Sequence, residues 1–221
     1  MSNAVFKFKC MDMPPRLHNY DCDRLTKAMY WPFIGFFFRH RFQMVLEMIN
    51  LPVTSVLEIG YGAGFLAYTL APKVKYYTGI DIHDKPQNVA EALRKNGICN
   101  ATLRVADARN LTSISEGSFD LVIAVSCLEH IAEHMLVQRQ IVKVLRKGGQ
   151  AVYGIPIKNI LTKVFFNAIG YNDNLIHPTE YHNVLDSAKS AGLLLDAEKI
   201  FPGWVGRHLS FYWVGRFIKY F

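Results

Sequence analysis

The residues best placed to do chemistry begin at Val56-Leu57-Glu58-Ile59-Gly60-Tyr61-Gly62-Ala63-Gly64, where an apolar run enters a turn built on three glycines. Such glycines let the backbone reverse tightly and bring its N–H groups against a ligand, and a helix starting at the end of the turn adds positive potential. A dinucleotide loop of the GxGxxG kind would need its third glycine at position 65; that residue is Phe65, and the third glycine falls one place early, at Gly64. Glu58 sets a carboxylate just before the turn, better matched to a cationic amino group than to a pyrophosphate. Asp81 ends the next apolar run, 23 residues after Glu58, where an acid can accept both hydroxyls of a ribose or simply cap a turn. Asp107, in Val105-Ala106-Asp107-Ala108, closes a third run, where taken in isolation it also suits a strand-end turn. His130 and His177 follow the fourth and fifth runs, and each could take a proton from a hydroxyl nucleophile or could pack and cap locally.

These groups are useful only if a scaffold gathers them. Short β-branched runs at 55–59, 76–81, 102–106, 119–125, 150–155 and 193–200 alternate with helical patterns at 64–71, 87–96, 133–146 and 179–191. That rhythm predicts an open, mostly parallel sheet with helices on both faces, which collects strand-end residues along its carboxyl edge. Gly97, Gly148, Gly149 and Gly192 stop the helices, and Pro178 with Thr179 starts the last. A further helix is expected at 39–49, ahead of the first strand. Residues 209–218 suit either an antiparallel last strand or an amphipathic helix, and 158–174 reads as an insertion after the fifth strand.

The Glu58-x-Gly60-x-Gly62-x-Gly64 spacing resembles the nucleotide-binding loop of class I S-adenosylmethionine-dependent methyltransferases, of the small-molecule "type 11" kind. Other segments resemble that family in the same order. They are Asp81, Val105–Ala108, the run from Phe119 to Ile131, Val144-Leu145-Arg146-Lys147-Gly148-Gly149-Gln150, and His177-Pro178-Thr179-Glu180-Tyr181 with the ending at 188–193. The resemblance covers roughly residues 40–200 and implies a Rossmann-like fold with S-adenosyl-L-methionine as cofactor. It implies cofactor contacts from Glu58, Gly60, Tyr61, Gly62, Gly64, Asp81, Ile82, Asp107, Ala108 and Ser126, with Asp107 accepting from the adenine amino group. Methyl transfer in this family is an in-line displacement, and a base such as His130 or His177 is needed only for an acceptor protonated at neutral pH. Glu129-His130 is similar to the EH pair of ubiquinone-pathway O-methyltransferases, yet no metal is expected on that likeness alone. A nicotinamide oxidoreductase, disfavoured by Phe65, and a non-catalytic S-adenosylmethionine-binding protein stay open as alternatives.

Composition bounds the rest. With 221 residues and 51% hydrophobic content, the chain suits one domain over 1–221: an N-terminal helical segment (1–50) over the active site, a cofactor-binding core (51–200) and a terminal segment (201–221). Cys10, Cys22, Cys99 and Cys127 form no CxxC pair, which points to scattered thiols. Lysines interrupt the N-terminal apolar residues, so no signal peptide is expected; residues 31–38 are too short an apolar run to span a bilayer, and the expected location is cytoplasmic. The formal charge of +7 sits at the ends: residues 51–198 are neutral, while 1–50 and 199–221 carry +3 and +4 together with 18 of the 29 aromatic residues. No long basic run, no appended RNA-binding module and no (D/N/S)PP(Y/F/W) motif after the fourth strand argue against a nucleic-acid substrate and leave a small-molecule or lipid-like acceptor. The aromatics of the ends, among them Trp31, Phe33, Phe36, Phe37, Phe38, Phe201, Trp204, Phe211, Tyr212, Trp213 and Phe217, either fill the core or build an acceptor pocket and peripheral membrane contact. Oligomeric state leaves no signature in the sequence.

Overall fold

The computed structural model describes residues 29–32, 34–163 and 179–221. Strands β1 (Ser55–Ile59), β2 (Tyr76–Asp81), β3 (Ala101–Val105), β4 (Phe119–Val125), β5 (Leu145–Pro156), β6 (Leu193–Phe201) and β7 (Tyr212–Lys219) form one sheet in the order β3-β2-β1-β4-β5-β7-β6. β1 to β5 run parallel, and β7 is antiparallel to both β5 and β6. Every residue of β4 is buried, which is why its sequence, Asp120 apart, is apolar throughout rather than alternating. The strand order reverses between β1 and β4. Their following loops therefore diverge and leave a crevice at the carboxyl edge.

Helices α1 (Ile34–Glu47), α2 (Phe65–Leu70) and α3 (Pro86–Lys95) cover one face through residues such as Val45, Leu46, Leu66 and Val89. Helices α4 (His134–Val144) and α5 (Tyr181–Ser190) cover the other through Val137, Ile141 and Val184. The expected class, an open and mostly parallel sheet with helices on both faces, is what the chain builds. Most boundaries shift by a residue or two, as at α4, which ends at Val144 because Leu145 already pairs with Phe119 of β4; β5 and α1 each begin five residues earlier than expected, at Leu145 and Ile34. At the amino end of β1, the buried Asp120 carboxylate accepts the backbone N–H groups of Thr54 (2.6 Å) and Ser55 (2.9 Å) and pairs with Arg146 at 2.8 Å.

The ambiguous C-terminal stretch is a strand, and it lies inside the sheet rather than at its edge. Trp213, Val214 and Phe217 are fully buried, and the Trp213 indole N–H donates to Glu198 Oε2 at 3.0 Å. The charged ends meet around α1: Lys199 pairs with Glu47 at 3.1 Å, and Arg216 donates to the Met48 carbonyl at 2.8 Å. Of the expected insertion, residues 160–163 form a helical turn, while 164–178, with His177 and Pro178, lie outside the described residues, as do Phe33, Cys10 and Cys22. Among the described residues no helix is long and apolar enough to cross a membrane, and no group of His, Cys, Asp and Glu could hold a metal ion.

Candidate active site

A cleft of about 430 Å³ occupies the crevice between the β1 and β4 loops. Its walls bring together eight of the residues expected from sequence: Gly60, Gly62, Asp81, Ile82, Asp107, Ala108, Ser126 and His130. Two glycines of the loop serve different ends. At Gly60 (φ +77°) a Cβ would come within 2.5 Å of the Cys127 Sγ, so the β4 loop can close against the β1 loop only because no side chain intervenes. At Gly62 (φ +49°) a Cβ would meet nothing within 4 Å, so the loop backbone there faces open space.

Asp81 organises the loop. Its Oδ2 accepts the Gly62 N–H at 2.9 Å, and its Oδ1 accepts the N–H groups of Ile82 (2.7 Å) and His83 (3.3 Å). Because Asp81 ends β2 and Gly62 follows β1, this carboxylate ties two adjacent strand ends together at the cleft wall. His83 completes the tie, with its Nε2 3.1 Å from the Gly62 carbonyl and its ring edge-on to Tyr61.

Three expected contacts have other placements. Glu58 is not on the cleft wall: it is buried beneath the loop, where its carboxylate accepts the Tyr77 hydroxyl, and burial pushes its acid up to about 8. Tyr61 is buried in the core, with its ring against Gly79, and Gly64 is the residue before α2, packed on Val89. Position in a motif does not decide which side of a loop a side chain takes. Asp107 does line the cleft, but Arg109 grips its carboxylate through Nε (3.0 Å) and a terminal nitrogen (2.6 Å), and these bonds hold its acid below the usual carboxylate range. Arg109 also donates to Glu133 at 2.9 Å, bridging the loop after β3 to the start of α4 across the cleft. The sequence reading missed Arg109 and Glu133; the one available signal was a base two residues after Asp107.

The opposite side of the cleft is built by residues far apart in the chain. Ser126 adopts φ 50°, an uncommon conformation for a residue other than glycine and one that recurs at functional sites. Its hydroxyl lies 2.9 Å from the Tyr212 hydroxyl on β7 and accepts from Arg41 of α1 at 3.2 Å. Burial holds the Tyr212 phenol above its ordinary range, so it stays neutral at physiological pH. Arg41 and Tyr212 also line a second, apolar cavity of about 60 Å³, walled by Phe37, Phe38, Phe201 and Phe211. Phe37 packs against both Phe201 and Phe211 at centroid distances of 6.0 Å. The aromatic ends thus divide: Phe38, Tyr212, Trp213 and Phe217 are core, while Trp31 and Trp204 are exposed and line neither cavity. His130 is exposed at the cleft edge.

Comparison with known proteins agrees with this arrangement. Residues 57–153 match the model of the methyltransferase domain family. Over 119 residues the chain is 29% identical to a ubiquinone biosynthesis O-methyltransferase of Pseudomonas fluorescens (strain Pf0-1), an alignment covering 54% of this chain and 51% of that relative. The chain therefore spans about half the length of the curated relatives it matches. The fold is similar to that of the cyclase SpnF, with TM-score 0.66, 17% identity and coverage of 82% and 80% of the two chains. It is similar also to phosphoethanolamine N-methyltransferase 2 of Haemonchus contortus, solved in complex with S-adenosyl-L-methionine, with TM-score 0.63, 15% identity and coverage of 82% and 52%. The switch-point cleft and the Gly60–Gly64 loop tied to Asp81 both lie within the segment, residues 57–153, that matches the methyltransferase domain family.

Proposed function

We propose that this chain transfers a methyl group from S-adenosyl-L-methionine to a small-molecule or lipid-like acceptor seated in the apolar cavity beside the cleft. The observation that carries the reading is the shared wall: Ser126 lines the cleft, and its two partners, Arg41 and Tyr212, line the apolar cavity. An apolar group held among Phe37, Phe38, Phe201 and Phe211 would present its head toward Arg41 and Tyr212, the partners of Ser126 on the cleft wall.

The residues present fit that cofactor. The cleft volume falls within the roughly 300–1,000 Å³ of small-molecule and cofactor sites. Asp81 supplies acceptor lone pairs for ribose hydroxyls, Gly62 leaves the loop backbone open to close approach, and Ile82 and Ala108 offer apolar surface on either side of an adenine ring. When bound, S-adenosylmethionine would supply a methyl already activated by its sulfonium. The protein's share is then position, orientation and water exclusion. Tyr212, neutral and hydrogen-bonded to Ser126, can orient an acceptor hydroxyl but cannot deprotonate it. His130 is the base available at the cleft edge for an acceptor that needs one. The cyclase neighbour shares this fold under another name, so the transfer itself needs a direct test.

Incubation with methyl-labelled cofactor and host extract, separated into polar metabolite, lipid, protein and nucleic-acid fractions, provides it. Label in the lipid or metabolite fraction is expected. Calorimetry should show binding of S-adenosylhomocysteine and none of NAD, and tight NAD binding with no response to the sulfonium cofactor would overturn the reading.

A further inference from the structure

Three segments remote in sequence meet around the apolar cavity: the start of α1 (Phe37, Phe38, Arg41), the stretch after β5 (Pro156, Thr162) and the loop between β6 and β7 (Phe201, Phe211). Hydrogen bonds hold the last two together. The Ile157 N–H donates to the Phe211 carbonyl at 3.0 Å, and the Asn159 side-chain amide donates to the Ser210 carbonyl at 2.7 Å. Large apolar side chains on these segments point to solvent instead of into the core. Trp204 is 88% exposed and Ile160 73%, and Phe36, Phe37, Leu161 and Leu209 are exposed as well. A cluster of this kind is unusual on a surface that meets only water.

Charge says what meets it. Residues 29–46, 156–163 and 199–211 contain no Asp or Glu, yet they carry Arg39, Arg41, Lys158, Lys163, Lys199 and Arg207. Two acids flank these stretches in sequence: Glu47 at the end of α1 pairs with Lys199 at 3.1 Å, and Glu198 accepts the Trp213 indole N–H at 3.0 Å. Arg41 turns inward to Ser126, while Lys163 stands on the exposed turn at 160–163. An apolar rim with a tryptophan at its most exposed loop, set in acid-free and basic surroundings, has the chemistry of a face that rests in the headgroup layer of a bilayer. A nucleic acid would find the charge but not a use for aliphatic Ile160, Leu161 and Leu209.

We propose that the rim of the apolar cavity, built by α1, the turn at 160–163 and the loop at 202–211, docks on the anionic surface of a lipid membrane and receives a membrane-borne acceptor there. The choice of acceptor source rests on the proposed function, whereas the docking does not. Insertion of Trp204 and Ile160 would bring the cavity mouth to the acyl boundary, so a lipid-like acceptor could reach Ser126 without crossing water.

The test is co-sedimentation of the full chain with vesicles of phosphatidylcholine alone or mixed with phosphatidylglycerol, at low salt and at about 0.5 M salt, where the Debye length shrinks to roughly 4 Å. Expected is partitioning onto phosphatidylglycerol vesicles at least about tenfold stronger than onto phosphatidylcholine at low salt, with that preference lost at high salt. The double variant Trp204→Asp, Ile160→Asp should bind those vesicles at least about tenfold more weakly while S-adenosylhomocysteine binding, read by calorimetry, stays unchanged. Absence of wild-type binding to anionic vesicles at low salt overturns the proposal. So does a double variant that sediments like wild type, or capture by a single-stranded oligonucleotide but not by vesicles. Loss of cofactor binding by the wild-type chain would instead strike the proposed function and leave the vesicle result to decide docking.

Discussion

Replacing Asp81 by alanine tests the cofactor site and the fold by two separate measurements. The carboxylate holds the N–H groups of Gly62, Ile82 and His83 at 2.9, 2.7 and 3.3 Å, and it stands at the tip of β2 where the ribose of the cofactor would lie. Two costs follow from its removal. The protein loses the tie between the β1 loop and β2, but the freed N–H groups border an open cleft and can turn to water, so the stability loss should stay near 1–2 kcal/mol. The ligand loses charge-assisted hydrogen bonds to its ribose, and about 1.5–3 kcal/mol of binding, or roughly a tenfold to 150-fold rise in Kd, should go with them. Calorimetric titration with S-adenosylhomocysteine reads the second cost, and a thermal melt without ligand reads the first. An Asp81→Ala protein that melts within a few degrees of wild type and binds with unchanged Kd would refute this placement of the ribose.

Gly60→Ala should destabilise the protein by about 1–3 kcal/mol in urea denaturation, because the new Cβ approaches Cys127 Sγ to 2.5 Å at a positive φ. Gly62→Val, whose side chain meets no protein atom nearby, should cost about 1–2 kcal/mol of stability through its positive φ and weaken S-adenosylhomocysteine binding at least about tenfold by filling the space over the loop; equal Kd values in a filter-binding assay would contradict this. Asp120→Ala should cost about 1.5–3 kcal/mol, since it removes the buried carboxylate that accepts the Thr54 and Ser55 N–H groups and pairs with Arg146, while the Kd for cofactor stays near that of wild type. Glu58 carries the pH dependence. Its acid is raised from 4.5 to about 8 in the folded state, so the native protein retains a proton that the unfolded chain releases as pH rises from about 4.5 to 8. Stability from this group is full below pH 4.5 and declines through that window by an amount on the order of 4 kcal/mol. Denaturation of wild type and Glu58→Gln across pH 5–8 should therefore show wild type losing stability relative to the variant, and parallel curves would contradict it.

Several parts of this protein were legible from residue order because they depend on local geometry. The (Glu58)-x-Gly60-x-Gly62-x-Gly64 spacing announced a strand, a tight ligand-facing turn and a helix, and the structure has β1, the loop and α2 there. Asp81, Asp107 and His130 follow one rule, that polar residues ending successive parallel strands share one edge of the sheet, whereas Ser126 came only from the family resemblance. The same rule could not tell wall from floor: Glu58 lies under the loop because one residue's difference along a strand reverses the side chain, and the buried hydroxyl that receives it, Tyr77, belongs to another strand. Nor could sequence order join Arg41, Ser126 and Tyr212, which come from α1, the β4 loop and β7. Their meeting depends on β7 inserting between β5 and β6, a pairing that residues 209–218 do not encode alone, since their short apolar run suits a helix as well as a strand. The same insertion sorted the aromatic residues of the two ends, sending Trp213 and Phe217 into the core and leaving Trp204 in solvent. Residue types and local spacing determined what the cofactor loop could do; the acceptor side was decided by tertiary packing, because its parts become neighbours only once the sheet has chosen its strand order.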